Sequence, residues 1–172
     1  MSIDRLIESW NEVRAGLIKE ASQVPEGQFS FHAAPETRSI AEVLQHVVQT
    51  QKILIGESCR TETNLRRQSF ADHIKEYAAE VAAVTDKNGL VELLKSSMET
   101  SAASIRGCGE GLQETMQRFD GKELSKLDFL NSAIAHEMYH RGQLTVYERL
   151  LGIEPALTQY FNKLFATAET AP

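Results

Sequence analysis

The residues of this chain best suited to chemistry are its five histidines, His32, His46, His73, His136 and His140. His136 and His140 stand four residues apart. On a helix that spacing puts both imidazoles on one face, about 6 Å apart, and one divalent metal can bridge them through nitrogens at about 2.0–2.1 Å. Five histidines scattered over 172 positions give about 0.14 such pairs by chance, so the pair is informative without being decisive. Position adds to it. His136 and His140 share steps of three and four with Phe129, Ala133, Leu144 and Tyr147, a stripe that should face an interior, and His46 lies in line with Val43, Thr50 and Ile53, a second inward stripe. Imidazoles directed inward from two helices converge if those helices are neighbours. The competing reading is a set of core histidines satisfied by buried carbonyls or hydroxyls. His32, in a loop, and His73, near the start of a polar helix, read as ordinary surface residues.

The string HEMYH also satisfies H-E-x-x-H, the zincin signature, in which Glu137 would be a protease's general base. The continuation does not fit. A metzincin would go on x-x-G-x-x-H, whereas this chain reads HRGQLTVYERL with no later histidine, and only Glu148, Glu154 and Glu169 follow as a gluzincin's downstream acid. Zincins also lay substrate along a sheet edge, and no strand-like alternation of useful length is present.

The elements that must position these residues are helices. Ile3, Leu6, Ile7, Trp10, Val13, Leu17 and Ile18 draw one apolar stripe, with Ser2 as the expected cap and a stop after about residue 22 before Pro25 and Gly27. Ser39 followed by Glu42 is a capping box ahead of Ile40, Val43, Leu44, Val47, Ile53 and Leu54, a helix that fades near Gly56. Residues 57–71 are polar and irregular. A shorter helix is expected over Asp72–Val84, closed by Asn88-Gly89, and a third long one over Leu90–Ile105, stopped by Gly107, Gly109 and Gly111. Residues 112–123 read as a short irregular piece. The fourth long helix starts at the Ser125 cap and runs to Leu151, with Gly152 as its C′ glycine, and Pro155 opens a last helix whose tail, Thr167–Pro172, is expected to fray. Four long amphipathic helices plus minor ones must bury their stripes on one another. This predicts an all-α four-helix bundle with additional short helices, one domain over residues 1–172.

Composition excludes other classes. At 172 residues, 42% hydrophobic, the chain can bury a real core and is not disordered. Eighteen basic against 24 acidic residues give a net charge of −6, a poor match to a phosphate backbone, so no nucleic-acid partner is expected. No apolar run reaches the roughly 18–20 residues of a membrane span, and the charged N-terminus shows no signal peptide. Cys59 and Cys108 are too few for a disulfide framework and lack C-x-x-C spacing. A soluble, reduced, cytoplasmic protein is expected.

Two motifs carry a family resemblance: SIAEVLQHVV, and HEMYHRGQLTVYERLLGIEP, which follows the pattern H-x-x-x-H-R-G-Q-L with a later Gly and Pro. With these, the chain resembles the DinB/YfiT-like family of small metal-binding helical bundles over essentially its whole length. The resemblance implies that His46, His136 and His140 are the ligands of a divalent transition metal, commonly zinc or nickel. It also implies a frequent homodimer and, in some branches, bacillithiol- or mycothiol-dependent transferase or isomerase chemistry. Three neutral imidazoles leave the metal an open position, the pattern of catalytic zinc. Such a site activates water or a low-molecular-weight thiol cosubstrate against a small-molecule substrate.

The expected function is therefore that of a metal-dependent thiol S-transferase or hydrolase. The alternatives are a structural metal-binding bundle, or an interaction module without metal. Glu137 follows a ligand and reads as a general base, a hydrogen-bond acceptor behind the metal, or an exposed or interhelical carboxylate. Arg141 reads as an anion-binding or salt-bridging residue, Gln143 as a hydrogen-bonding neighbour of the metal, and Tyr147 as part of the mouth. Trp10, Met138 and Phe129 read as core. The stripe Leu157, Tyr160, Phe161, Leu164 and Phe165 reads mostly as packing of the last helix, with part of it a dimer face or pocket wall.

Overall fold

Side-chain caps, serine in most cases, set the starts of the principal helices. In the computed structural model, which describes residues 2–169, the Ser2 side chain accepts from the Arg5 N–H and opens α1, Ile3–Gln23. Ser39 forms the full capping box with Glu42 at the head of α2, Ile40–Ser58. Ser69 caps α3, Phe70–Tyr77, and Ser125 caps α5, Lys126–Leu150, through the Asp128 N–H. Helix α4 spans Lys87–Cys108, and α6 runs Ala156–Glu169. Gly152 takes a φ of 74° after α5, the left-handed conformation that glycine adopts most cheaply.

Three local expectations are corrected. Asn88 and Gly89 do not end a helix. The Asp86 side chain accepts from the Gly89 N–H and so starts α4 one turn earlier. The segment after Tyr77 tightens into a 3₁₀ helix, Ala79–Ala83, in place of a continuous helix. A small hairpin is also present: β1, Thr115–Gln117, pairs antiparallel with β2, Glu123–Ser125. Three-residue strands are too short to show a period of two in the sequence. As to the fraying expected of the tail, α6 continues through Thr167–Glu169, while Thr170–Pro172 lie outside the described residues.

Helices α1, α2, α4 and α5 form the four-helix bundle. Helix α1 packs on α4 and α5, and α2 packs on the same two. The order round the bundle is therefore α1, α4, α2, α5, and the sequence neighbours α1 and α2 lie on a diagonal. This arrangement makes α2 and α5, the helices bearing the three histidines, direct neighbours.

The core divides into two apolar clusters. One holds Leu6, Trp10, Ile53, Met98, Phe129 and Ala133; the other holds Leu17, Val43, Leu44, Leu94, Leu144 and Tyr147. A polar layer separates them, with one contribution from each long helix: Arg14, Gln51, Ser97 and Glu137, all buried.

Two residue-level expectations also change. Met138, read as core, is half exposed, and on α6 Tyr160 and Phe165 are about as open at 59% and 60%. Cys59 and Cys108 are bonded to each other, joining the C-terminal ends of α2 and α4. The reduced state inferred from cysteine count is thus corrected. A pair 49 residues apart in sequence carries no motif, and only the packing of α2 on α4 brings its Cα atoms to 5.5 Å. No helix among the described residues is long and apolar enough to cross a membrane.

Candidate metal centre

The α2–α5 seam brings together His46, His136 and His140. His136 Nε2 lies 3.2 Å from His46 Nε2 and 3.1 Å from His140 Nε2. His46 and His136 are half-buried, and His140 is buried. Burial holds the imidazoles neutral. It is the largest influence lowering His46 to about 3, assisted by the charge of Arg38 and by the other two rings. Burial, then His140 and Arg38, lowers His136 to about 4, and burial likewise lowers His140.

Neutral rings meeting nitrogen to nitrogen cannot all satisfy one another, because each donates through only one of its two nitrogens. A metal would resolve this. Tetrahedral coordination at 2.0–2.1 Å places neighbouring nitrogens about 3.3–3.4 Å apart, and the two spacings here are within a few tenths of an ångström of that edge. The donor set therefore fits a divalent transition metal held on one triangular face.

A relay behind the site orients His140. Its Nδ1–H donates to Gln143 Oε1 at 3.0 Å, which leaves the Nε2 lone pair facing the other two histidines. Gln143 Nε2 donates to the Tyr147 hydroxyl at 3.1 Å, and that hydroxyl donates to the Arg38 carbonyl at 2.9 Å. Gln143 and Tyr147 are thus both brought to the site, although Tyr147, 2% exposed, is a buried support and not part of a mouth.

Glu137 is turned elsewhere, and its reading as general base is corrected. A position one residue past His136 points about 100° round the helix. There its Oε2 accepts from Trp10 Nε1 at 2.7 Å and from Arg14 at 2.9 Å, and its Oε1 accepts from Arg14 Nε at 2.5 Å. The remaining guanidinium hydrogens go to the Leu94 carbonyl, Ser97 and Gln51, so all five Arg14 donors are used. One side chain on α1 thereby ties α2, α4 and α5 together beside the histidines. Sequence reasoning passed over Arg14. The signal was a charged residue on an apolar stripe, four residues after Trp10 and three before Leu17.

Arg141 is a salt-bridging residue. It pairs with Glu20 at 3.1 Å while Glu20 also accepts from the Ala156 and Leu157 N–H groups at the head of α6. A Cβ on Gly16 would come within 2.3 Å of the Arg141 guanidinium, so this glycine is what lets the arginine lie on α1. His32 stays exposed, with its ring against the Thr37 carbonyl.

His73, read as a surface residue, is fully buried. Glu57, His73 and Glu76 offer the other grouping of metal-ligand type among the described residues. That position already has its cation. Arg67 bonds Glu57 Oε1 and Glu76 Oε2, and His73 Nδ1 is approached by Gln68 Nε2 at 3.2 Å. The cluster is a hydrogen-bonded ion network.

A family model for the DinB family matches residues 1–171. The chain belongs to the DinB family. Several solved structures share its fold. The DinB-like protein YjoA of Bacillus subtilis aligns with a TM-score of 0.65 at 19% identity, over 86% of this chain and 92% of that one. YfiT of Bacillus subtilis, described as a probable metal-dependent hydrolase with an unusual four-helix bundle topology, aligns with a TM-score of 0.68 at 17% identity, over 90% and 91%. A mycothiol-dependent maleylpyruvate isomerase aligns with a TM-score of 0.67 at 14% identity, over 84% of this chain and 61% of that larger one. At such identities the likeness concerns the fold. No curated protein sequence matches the chain.

Proposed function

We propose that this DinB-family chain is a divalent-metal-dependent enzyme that binds zinc or nickel through His46, His136 and His140. It acts on a small molecule, as a thiol-dependent S-transferase or a hydrolase. The supporting observation is the triangle of neutral Nε2 atoms, whose 3.1 and 3.2 Å edges suit one face of a tetrahedron and leave the opposite vertex for an exchangeable ligand. A divalent metal bound there supplies Lewis acidity and lowers the pKa of water or of a thiol that binds it.

The chain's own residues supply the rest. Gln143 holds His140 in one tautomer. Glu137 and Arg14 hold the rotation of α5, and the Glu137 oxygens, both engaged, are not available as a base. Cys59 is bonded to Cys108 and lies thirteen residues, about 20 Å of helix, beyond His46, so the nucleophile comes from solution.

The proposal includes a homodimer. Tyr139, Val146 and Leu150 on the outer side of α5, with Tyr160 and Phe165 on α6, form exposed apolar surface of the kind a second copy covers. Light scattering reads it directly: a dimer mass supports the proposal, and a monomer at micromolar concentration removes that part of it.

Metal content by ICP mass spectrometry tests the central reading. About one zinc or nickel per wild-type chain and a loss of most of it in His46→Ala is the expected result. Cobalt-loaded protein should change its visible spectrum when a small thiol is added. Failure to hold any divalent ion after reloading refutes the metal site. Metal held with a spectrum that no small ligand perturbs would instead favour a structural metal.

A further inference from the structure

Arg38 is an exposed cation with no ion pair or hydrogen bond to its guanidinium among the described residues. Its position is nevertheless defined. It immediately precedes Ser39, the cap of α2, and its carbonyl closes the relay from His140 through Gln143 and Tyr147. Its charge is felt by all three histidines. Glu42 also lies in its field but is engaged by the Ser39 N–H in the capping box, at 2.7 Å. A cation beside a metal-binding face is a liability for holding the metal, since like charges repel. It is useful only for an anion.

Another side of the same face is aromatic. The Phe70 ring lies 6.2 Å from His46 and 6.0 Å from the Phe119 ring. Both phenylalanines remain 37% and 45% exposed although they come from different elements, α3 and the β1–β2 turn. Rings offered to solvent beside polar ligands provide a stacking surface for a flat molecule.

We infer that the substrate is a small carboxylate with a flat apolar body, its carboxylate bound by Arg38 and its body resting on Phe70 and Phe119. This rests on the metal reading and extends it to a substrate class. An Arg guanidinium binds a carboxylate through paired, charge-assisted hydrogen bonds, which an uncharged amide of the same shape cannot reproduce. Benzoate and benzamide are therefore the discriminating probes.

Binding of each is followed by calorimetry on zinc-loaded wild type, Arg38→Gln and Phe70→Ala, and by NMR chemical shifts on the metal-free protein. Benzoate should bind the wild type more tightly than benzamide. Arg38→Gln should weaken benzoate by about tenfold or more while leaving benzamide unchanged and zinc affinity no lower, since the substitution removes a repelling charge. Phe70→Ala should weaken both probes. Equal affinity for the two probes in the wild type, or benzoate binding unaltered in Arg38→Gln, overturns the inference. If the protein takes up no zinc but benzoate still binds in an Arg38-dependent way, the metal reading fails and the anion site stands. If neither zinc nor benzoate binds, both fall.

Discussion

The polar layer allows a stability prediction to be worked from individual bonds. In Arg14→Met, Glu137 keeps a single donor, Trp10 Nε1, while its carboxylate remains buried at 1% exposure. Gln51 Oε1 still accepts from Ser97, at 3.2 Å, so the stranded carboxylate dominates the loss. Removing one partner of a buried ion pair costs about 3–5 kcal/mol. Glu137→Leu strands the guanidinium among neutral acceptors and should cost a similar amount. In the double variant Arg14→Met/Glu137→Leu neither charge remains, and the principal deficit is the orphaned Trp10 N–H, about 1–3 kcal/mol. The double variant should therefore be more stable than either single one, with a coupling energy of at least about 3 kcal/mol. Urea unfolding at pH 7, followed by circular dichroism and by the fluorescence of the chain's one tryptophan, reads this directly, since that indole sits in the network. Additive losses, or a single-variant cost below about 1 kcal/mol, would refute the assignment of these residues as a mutually satisfied pair.

Further outcomes follow from other sites. Gln143→Leu removes the acceptor that orients His140 and should weaken metal binding by about 10- to 100-fold with little change in stability, measured by competition with a chromophoric chelator. Glu148 is fully buried, and burial, with Glu20 alongside, raises its carboxyl to about 8 from an ordinary 4.5. The native state thus keeps a proton that the unfolded chain releases, so stability should fall by roughly 3–5 kcal/mol as pH rises from about 4.5 to 8 and then level off. Glu148→Gln should flatten that slope and raise the melting temperature at pH 8, and an unchanged slope would count against it. The Cys59–Cys108 bond closes a loop of 49 residues, for which chain entropy gives about 4 kcal/mol at most. Reduction with dithiothreitol should lower the urea midpoint accordingly, and alkylation of both thiols in untreated protein would show that the bond does not form.

The long helices and their caps were legible because both signals are local. A serine ahead of an apolar stripe, followed three residues later by an acid at Ser39 and Ser125, is read from a handful of adjacent positions, and Ser2, Ser39 and Ser125 each cap where expected. The three histidines were legible as inward-facing by the same periodicity. Local signals failed where a long-range partner determined the outcome. His73 looked like a surface residue because its helix is polar, yet Glu57, 3.6 Å from its Nδ1, and the Phe119 ring, 5.7 Å away, pack against it from distant segments. Met138 looked like core because it is apolar, yet α5 turns it outward.

By itself, then, the sequence determined which segments become helices, where they start, and which side chains each presents to an interior, because 3.6-residue periodicity and capping depend on neighbours along the chain. Tertiary structure alone decided that α2 neighbours α5, and so whether His46 meets His136 and His140. It also decided that Glu137 serves Arg14, that the two cysteines meet, and that the Arg38 carbonyl meets Tyr147. Each of these depends on the order of helices round the bundle. An apolar stripe does not name the helix it packs on, whereas the pairing of a few polar groups is specific to the observed order, Arg14 with Glu137 and Gln51 above all, contributed by residues 37 to 123 positions apart.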